Sequence, residues 1–346
     1  MRILFLSTNP FMPEHFSEQN HTLLELCCRL TELGHDPVVL ASKIYHGQKK
    51  ITVDHGYGFR LFRATDPIES IPALCLTLKP DIAVIVDGHY ERLLAICHTL
   101  HIPMAVWFFH FEPYYFRDES LDKNLLYLAS SHFIAAQLRC LFGVAATVVP
   151  PYINKDNYSQ VEPGNRVLFV NPVREKGIEI AFELARERPN QTFIFMESWG
   201  LSEEWRRICF ERAFSCGNIE WIPSTRTMSS VLGRTRLLLV PSFYEEGFCR
   251  LVTEAQLGGI PILSSNRGYL PDNVGPGGVV LKFDVSLHDW LHQLDKYLED
   301  ENYYQRMSKQ AREHAFRDEL AGNRIIDHLL LLLASQISGH RLTRTS

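Results

Sequence analysis

The sequence predicts an α/β protein made of two Rossmann-like β/α/β domains that face a central cleft. Three observations predict it. With 346 residues, the chain has the length of two domains. Short apolar runs alternate with amphipathic helical stretches along it, the pattern of a parallel, doubly wound sheet. The alternation breaks once, in a polar, Pro- and Gly-rich stretch from Pro150-Pro151 to Gly164-Asn165, and then begins again. The expected division is 1–160 for the first domain and 161–316 for the second, with a helix at 317–338 packing back on the first.

The elements follow in order. Ile3 to Leu6 is a buried-strand run that ends at Ser7-Thr8-Asn9-Pro10. Leu23, Leu26, Cys27, Leu30 and Leu33 recur at helical spacing, and Gly34 stops that helix. Strands are expected at 37–41, 82–86, 104–109, 132–136 (HFIAA) and 146–150, with a helix from Leu93 to Leu100. The second series has strands at 167–171, 192–196, 219–223, 236–242, 259–265 and 277–281. Helices are expected at 177–188, 286–299 and 302–316. In open α/β sheets ligands bind beyond the carboxyl ends of strands, so chemistry is sought there and at helix N-termini.

Composition excludes several classes. The chain is 46% hydrophobic and 22% charged, enough apolar material for two cores. Thirty-five Lys plus Arg against 40 Asp plus Glu give a net charge of -5, which is not the footprint of a nucleic-acid binder. The eight cysteines form no C-x-x-C pair, so they read as reduced thiols of a cytoplasmic protein. The opening MRILFLSTNP is too short in its apolar run for a signal peptide, and no run is long enough to span a membrane. The segment IIDHLLLLLAS near the C-terminus reads as a buried helix; peripheral docking at the inner face of the membrane stays open. G-x-G-x-x-G, the P-loop, G-x-S-x-G, H-E-x-x-H and D-x-D patterns are all missing.

The strongest motif is PSFYEEGFCRLVTEAQLGGIPILSS, residues 241–265. A strand gives way to a loop with Glu245 and Glu246, Gly247 permits close backbone approach, and a helix starts near Phe248 to Arg250. The amides and positive dipole end of that helix make an anion site. Glu254 follows in the helix. The second motif, VLFVNPVREKGIEIAFELA (167–185), places Arg174 and Lys176 before Gly177 at a helix start, where cations suit a diphosphate.

Together these segments resemble the donor site of the retaining family-4 glycosyltransferases of the two-Rossmann (GT-B) fold, group 1 type. The resemblance runs from the first strand to about residue 315 and is dense only in 167–177 and 236–281. It implies that Glu246 contacts donor-sugar hydroxyls, that Glu254 binds the ribose, and that Gly247, Phe248 and Cys249 offer amides near the sugar and phosphates. Lys176, with Arg174 and Gly177, would hold the diphosphate; the family's Arg usually stands earlier, where this chain has Asn171. Ile222, next to Trp221, would lie by the base. His110 would face the donor sugar, or serve as a satisfied structural histidine, with Glu112 near it. The first loop, TNPFMPEHFSEQN, has Phe16-Ser17-Glu18 where the family has Gly-Gly, so Ser17 and Glu18 mark an altered acceptor-side loop; Ser17 also reads as a helix cap. Asp272 takes the place of a family Glu.

The function so implied is transfer of a sugar from a nucleotide-diphosphate sugar to a glycan, lipid-linked or small-molecule acceptor, with retention of configuration and no metal or other cofactor. Two alternatives stay open. A nucleotide-sugar epimerase on the same fold needs acid/base pairs acting on the ring. A non-catalytic partner subunit would have no physical need of Glu246, Glu254 and Lys176 together.

Overall fold

The computed structural model describes residues 1–44, 50–110, 122 and 125–345. The chain divides into two compact units, Met1–Ile153 with Gly322–Ser346, and Asn154–Ala321.

The first unit carries strands β1 (Arg2–Pro10), β2 (Asp36–Ser42), β3 (Ile51–Asp54), β4 (Arg60–Ala64), β5 (Ile82–Asp87), β6 (Met104–Phe108), β7 (Leu126–Ala129) and β8 (Thr147–Val148). Its helices are α1 (Glu18–Glu32), α2 (Pro67–Leu78), α3 (Tyr90–Thr99) and α4 (His132–Phe142). Among the described residues the strands form one sheet in the order β3-β4-β2-β1-β5-β6-β7-β8, parallel except for β3 with β4. Ile3 to Leu6 and Ile82 to Val86 are at most 1% exposed, because helices cover both faces of a parallel sheet. Ser17 caps α1 by accepting the amide of Asn20, and Gly34, at φ +80°, ends it.

One expected strand is a helix. HFIAA opens α4, and the strand is the LYLA run of β7 just before it. A five-residue apolar run does not tell strand from helix. Ser131 decides it, since its hydroxyl accepts the amide of Ile134 at 3.2 Å and nucleates the turn. The β3–β4 hairpin was not expected, because Arg63 sits in β4 and breaks the apolar pattern. That arginine is only 8% exposed. Its guanidinium donates to Glu14 at 2.7 Å and to the Met12 carbonyl, and reaches the Tyr57 hydroxyl at 3.3 Å. Tyr57 donates to the same carbonyl at 2.6 Å. The loop after β1 is thereby fastened to β4.

The second unit carries β9 (Arg166–Val170), β10 (Phe193–Met196), β11 (Ile219–Ile222), β12 (Thr235–Val240), β13 (Ile262–Ser265) and β14 (Gly278–Leu281). Its helices are α5 (Ile178–Glu187), α6 (Glu203–Cys216), α7 (Met228–Leu232), α8 (Arg250–Leu257), α9 (Leu270–Val274), α10 (Leu287–Glu299) and α11 (Glu301–Ala315). The sheet is parallel, in the order β11-β10-β9-β12-β13-β14. One face is covered by Phe182 of α5, Cys209 of α6, and Trp290 and Leu294 of α10, packed on Phe169, Phe195 and Leu239.

The last helix, α12 (Gly322–Thr345), belongs to the first unit. Ile325, Ile326, Leu329, Leu333 and Ile337 recur every three or four residues, and join a core with Ile3, Phe5, Val84 and Trp107. Among the described residues no helix is long and apolar enough to cross a membrane.

Both sheets grow outward from a central pair. The chain adds β2 and β4 on one side of β1 and then starts β5 on the other. It adds β10 and β11 on one side of β9 and then starts β12 on the other. Strand order therefore reverses between β1 and β5, and between β9 and β12. The helices after the two strands of such a pair lie on opposite faces, and a crevice opens at their carboxyl ends.

Candidate active site

The second reversal point is built from the ends of β9 and β12. After β9 the chain makes a short 3₁₀ turn, Arg174–Lys176, and Gly177 at φ +81° starts α5. A Cβ on Gly177 would meet the Pro241 carbonyl oxygen, so the loop after β9 lies directly on the end of β12. The amides of Phe243 and Tyr244 both donate to the Glu175 carbonyl, at 2.9 and 3.0 Å, and tie the two loops together.

This close packing brings Lys176 to Glu246. The ammonium lies 2.6 and 2.7 Å from the two carboxylate oxygens, and Ser242 donates to one of them at 2.5 Å. The side chains are 17% and 6% exposed, so the pair is largely out of water. Such a pair is held by mutual attraction and is costly to leave half-made. The rings of Tyr244 and Trp199 flank the ammonium at 5.1 and 5.9 Å. Gly268, at φ +58°, allows the following loop to press on the backbone of Glu246, whose carbonyl accepts from Tyr269 at 2.8 Å.

Asn171 ends β9. It is 3% exposed, and neither its amide nitrogen nor its amide oxygen has a hydrogen-bond partner in the protein. Its φ of +62° is a left-handed conformation that asparagine tolerates better than most residues. A buried amide with both groups unmet calls for partners from outside the chain, ordered water or a bound molecule.

Glu254 is one helical turn behind. It is 4% exposed, and Arg250 donates to it at 2.5 Å. Gly247 is buried, and Phe248 is 1% exposed with its ring stacked on Tyr269 at 5.8 Å. Cys249 starts α8 at φ +63°. The Asn273 amide, fully buried, donates to the carbonyls of Phe248 and Cys249 at 2.7 and 3.1 Å, which fixes the turn that aims the first amides of α8.

Other expected residues lie apart from this cluster. Arg174 is exposed, and its guanidinium stacks on Trp205 at 5.0 Å. Ile222 ends β11, where its carbonyl accepts from Glu197 at 2.9 Å; Trp221 also turns to Glu197, at 2.7 Å. Asp272 is exposed on α9.

In the first unit, Ser17 and Glu18 stand at the start of α1, after β1, and His110 stands just after β6. Gln19, next to Glu18, lies 2.7 Å from the His110 ring. The amide of His89, just after β5, donates to Thr8 of β1 at 2.9 Å. Burial holds the His15 imidazole below its usual range; His110 acts in the same direction and Asp87 against it. Glu112 lies outside the described residues.

Sequence reasoning left out Ser242, Arg250, Asn273 and Gln19 as site residues. Arg250 and Glu254 carried a signal, the i,i+4 spacing of an ion pair on a helix. The contacts of Asn273 and Gln19 join distant parts of the chain and left none.

The architecture is the GT-B fold of glycosyltransferases. Residues 154–314 match the family model described as glycosyl transferases group 1. Similar solved structures cover almost the whole chain. A sucrose-phosphate synthase from Thermosynechococcus elongatus has a TM-score of 0.79 at 15% identity, over 98% of this chain and 100% of its own. HepE from Anabaena, in complex with UDP and glucose, has a TM-score of 0.75 at 15% identity, over 97% and 100%. A glycosyltransferase from Rickettsia africae has a TM-score of 0.73 at 11% identity, over 97% and 98%. At these identities the likeness is one of fold. A search of curated proteins gave no match.

Proposed function

We propose that this protein transfers a sugar from a nucleotide-diphosphate sugar to an acceptor hydroxyl, with retention of configuration and without a metal. The observation that carries the reading is the Lys176–Glu246–Ser242 cluster, placed where strand order reverses within the stretch that matches the glycosyl transferases group 1 model. Lys176 neutralises charge on the departing diphosphate, where a fixed cation lowers the barrier. Glu246 accepts from hydroxyls of the donor sugar. Asn171 supplies a donor and an acceptor to the same molecule. Glu254, held by Arg250, takes the ribose hydroxyls. The N-terminal end of α8 faces the phosphates. Arg174 supports the phosphate site only after leaving Trp205. The first unit holds the acceptor around Ser17, Glu18 and His110. The acceptor is a glycan, a lipid-linked sugar or a small alcohol, and the work is done in the cytoplasm.

The test is thermal stabilisation by UDP, GDP, ADP and TDP, with and without EDTA, on wild type and Glu254→Ala. UDP is the first to try, because it occupies HepE. A nucleotide at about 100 times its dissociation constant adds about 2.7 kcal/mol. The reading expects one nucleotide to stabilise the protein, equally in EDTA, and to lose that effect in the variant. No shift with any of them would overturn the donor site. Stabilisation abolished by EDTA would overturn metal independence.

A further inference from the structure

The turn that opens α8 is held from behind. Cys249 starts that helix at φ +63°, a left-handed conformation that a cysteine keeps only where its surroundings enforce it. Asn273 of α9, fully buried, enforces it. Its Nδ2 donates to the carbonyls of Phe248 and Cys249 at 2.7 and 3.1 Å, so both peptide groups that flank the Cys249 Cα are tied to one amide nitrogen.

The other end of that amide is gripped as well. Its Oδ1 accepts from the Thr253 hydroxyl at 3.1 Å and from Nη2 of Arg317 at 2.9 Å. A hydroxyl can donate or accept, whereas a guanidinium only donates and carries charge. A charged donor on an amide oxygen polarises the amide and strengthens what its nitrogen donates. The grip of Asn273 on the turn therefore depends on Arg317.

Arg317 stands just after α11. Its Nη1 donates to the His314 carbonyl at 3.0 Å and its Nε to Glu319 at 2.6 Å, so each nitrogen of the planar fork has its own acceptor. The side chain is 15% exposed. The end of α11 comes this close because Gly275, at φ +48°, has the imidazole of His314 where a Cβ would stand. The same groups reach Tyr269, whose ring stacks on Phe248. Burial pushes the Tyr269 hydroxyl above its usual range; Glu319 acts in the same direction and Arg317 against it.

We infer that Arg317 is a positioning residue of the donor site: through Asn273 it holds the left-handed turn from which α8 starts, and so sets where the N-terminal end of α8 stands for a diphosphate. The inference rests on the transferase reading for the diphosphate, and on the contacts from Arg317 through Asn273 to Phe248 and Cys249 for the turn. Arg317 acts through Asn273 and not on the donor itself.

The structural half is tested by amide hydrogen exchange on the full-length, ligand-free protein. Arg317→Met, which keeps a long side chain and removes every donor, is expected to speed exchange at Phe248 to Val252 and to leave β9 as in wild type. Unchanged exchange at those residues, or an equal rise in β9, would overturn this half.

The functional half is read by calorimetry with UDP, GDP, ADP and TDP. The nucleotide that binds wild type is expected to bind Arg317→Met about fivefold or more weakly, the low end of coupling between connected sites. A residue that served stability alone would leave the affinity of the folded protein unchanged. Glu319→Gln removes the ion pair of Arg317 but keeps its donor on Asn273, and should bind as wild type does. Arg317→Lys cannot fill the fork and should fall between wild type and Arg317→Met in both measurements; if Arg317→Met does not fold, the lysine variant is compared with wild type alone. Wild-type affinity in the variant tested, or a loss in Glu319→Gln as large as in Arg317→Met, would overturn the positioning role. If none of the four nucleotides binds wild type, the transferase reading fails, and exchange at Phe248 to Val252 alone decides whether Arg317 holds the turn.

Discussion

Replacing Lys176 by Met puts the central pair of the site to a quantitative test. Glu246 has 6% of its side chain exposed and Lys176 has 17%, so the change strands a carboxylate in a dry place. Breaking a buried pair by removing one member costs about 3–5 kcal/mol. The hydrogen bond from Ser242 remains and offsets about 1 kcal/mol. The ligand-free protein should thus lose about 2–4 kcal/mol. Glu246→Gln is milder, because the ammonium keeps the two rings and some water. The double variant should recover part of the loss, with a coupling energy of about 1.5–3 kcal/mol. Urea denaturation followed by tryptophan fluorescence suits the measurement. Trp199, Trp205, Trp221 and Trp290 all lie in the second unit and only Trp107 in the first. A coupling below about 0.5 kcal/mol would show that the two side chains do not stabilise each other, and the account of the pair would fall.

Three further outcomes are expected. Asn171→Gly removes two unmet polar groups at a φ that glycine accepts; an unmet buried group costs about 1–3 kcal/mol and glycine's freedom about 0.5–1, so the ligand-free protein gains stability while calorimetry shows weaker donor binding. Gly177→Ala combines φ +81° with a Cβ against the Pro241 carbonyl and should cost about 3 kcal/mol or more, whereas Gly34→Ala, at φ +80° with open space around it, should cost about 1–2 in the same denaturation assay. His15 has a folded-state pKa below that of the unfolded chain, so on acidification the unfolded state binds the proton first. Its contribution to stability is whole above about pH 6.5 and is lost as the pH falls from there through the folded value. Denaturation across that window should show a shallower pH dependence in His15→Gln.

The strands were legible because a parallel strand buried on both faces must be apolar at every position, as Ile82 to Val86 are. That logic fails for five residues such as HFIAA, where the cap before the run carries more information than the run itself. It fails again at β4, where a buried arginine interrupts the pattern for the sake of the loop above it. In the site, the spacing of Glu246, Gly247 and Glu254 was readable because one strand, one loop and one helix hold all three. The meeting of Lys176 with Glu246 was not, since it depends on β9 and β12 being neighbours across the reversal of strand order. Nothing in the local sequence says that Arg174 stacks on Trp205, an aromatic ring supplied by α6 after β10.

The anchoring of the first loop by Arg63 has a consequence for how this site can be altered. Exchanging Phe16-Ser17-Glu18 for a short glycine loop looks like a local edit. Any such graft that displaced Met12 or Glu14 would leave an arginine that is 8% exposed without its main acceptors. The loop and β4 are therefore expected to change together or not at all. A library that varies residues 11–18 alone should return mostly unfolded protein, and one that frees Arg63 and Tyr57 as well should return folded variants.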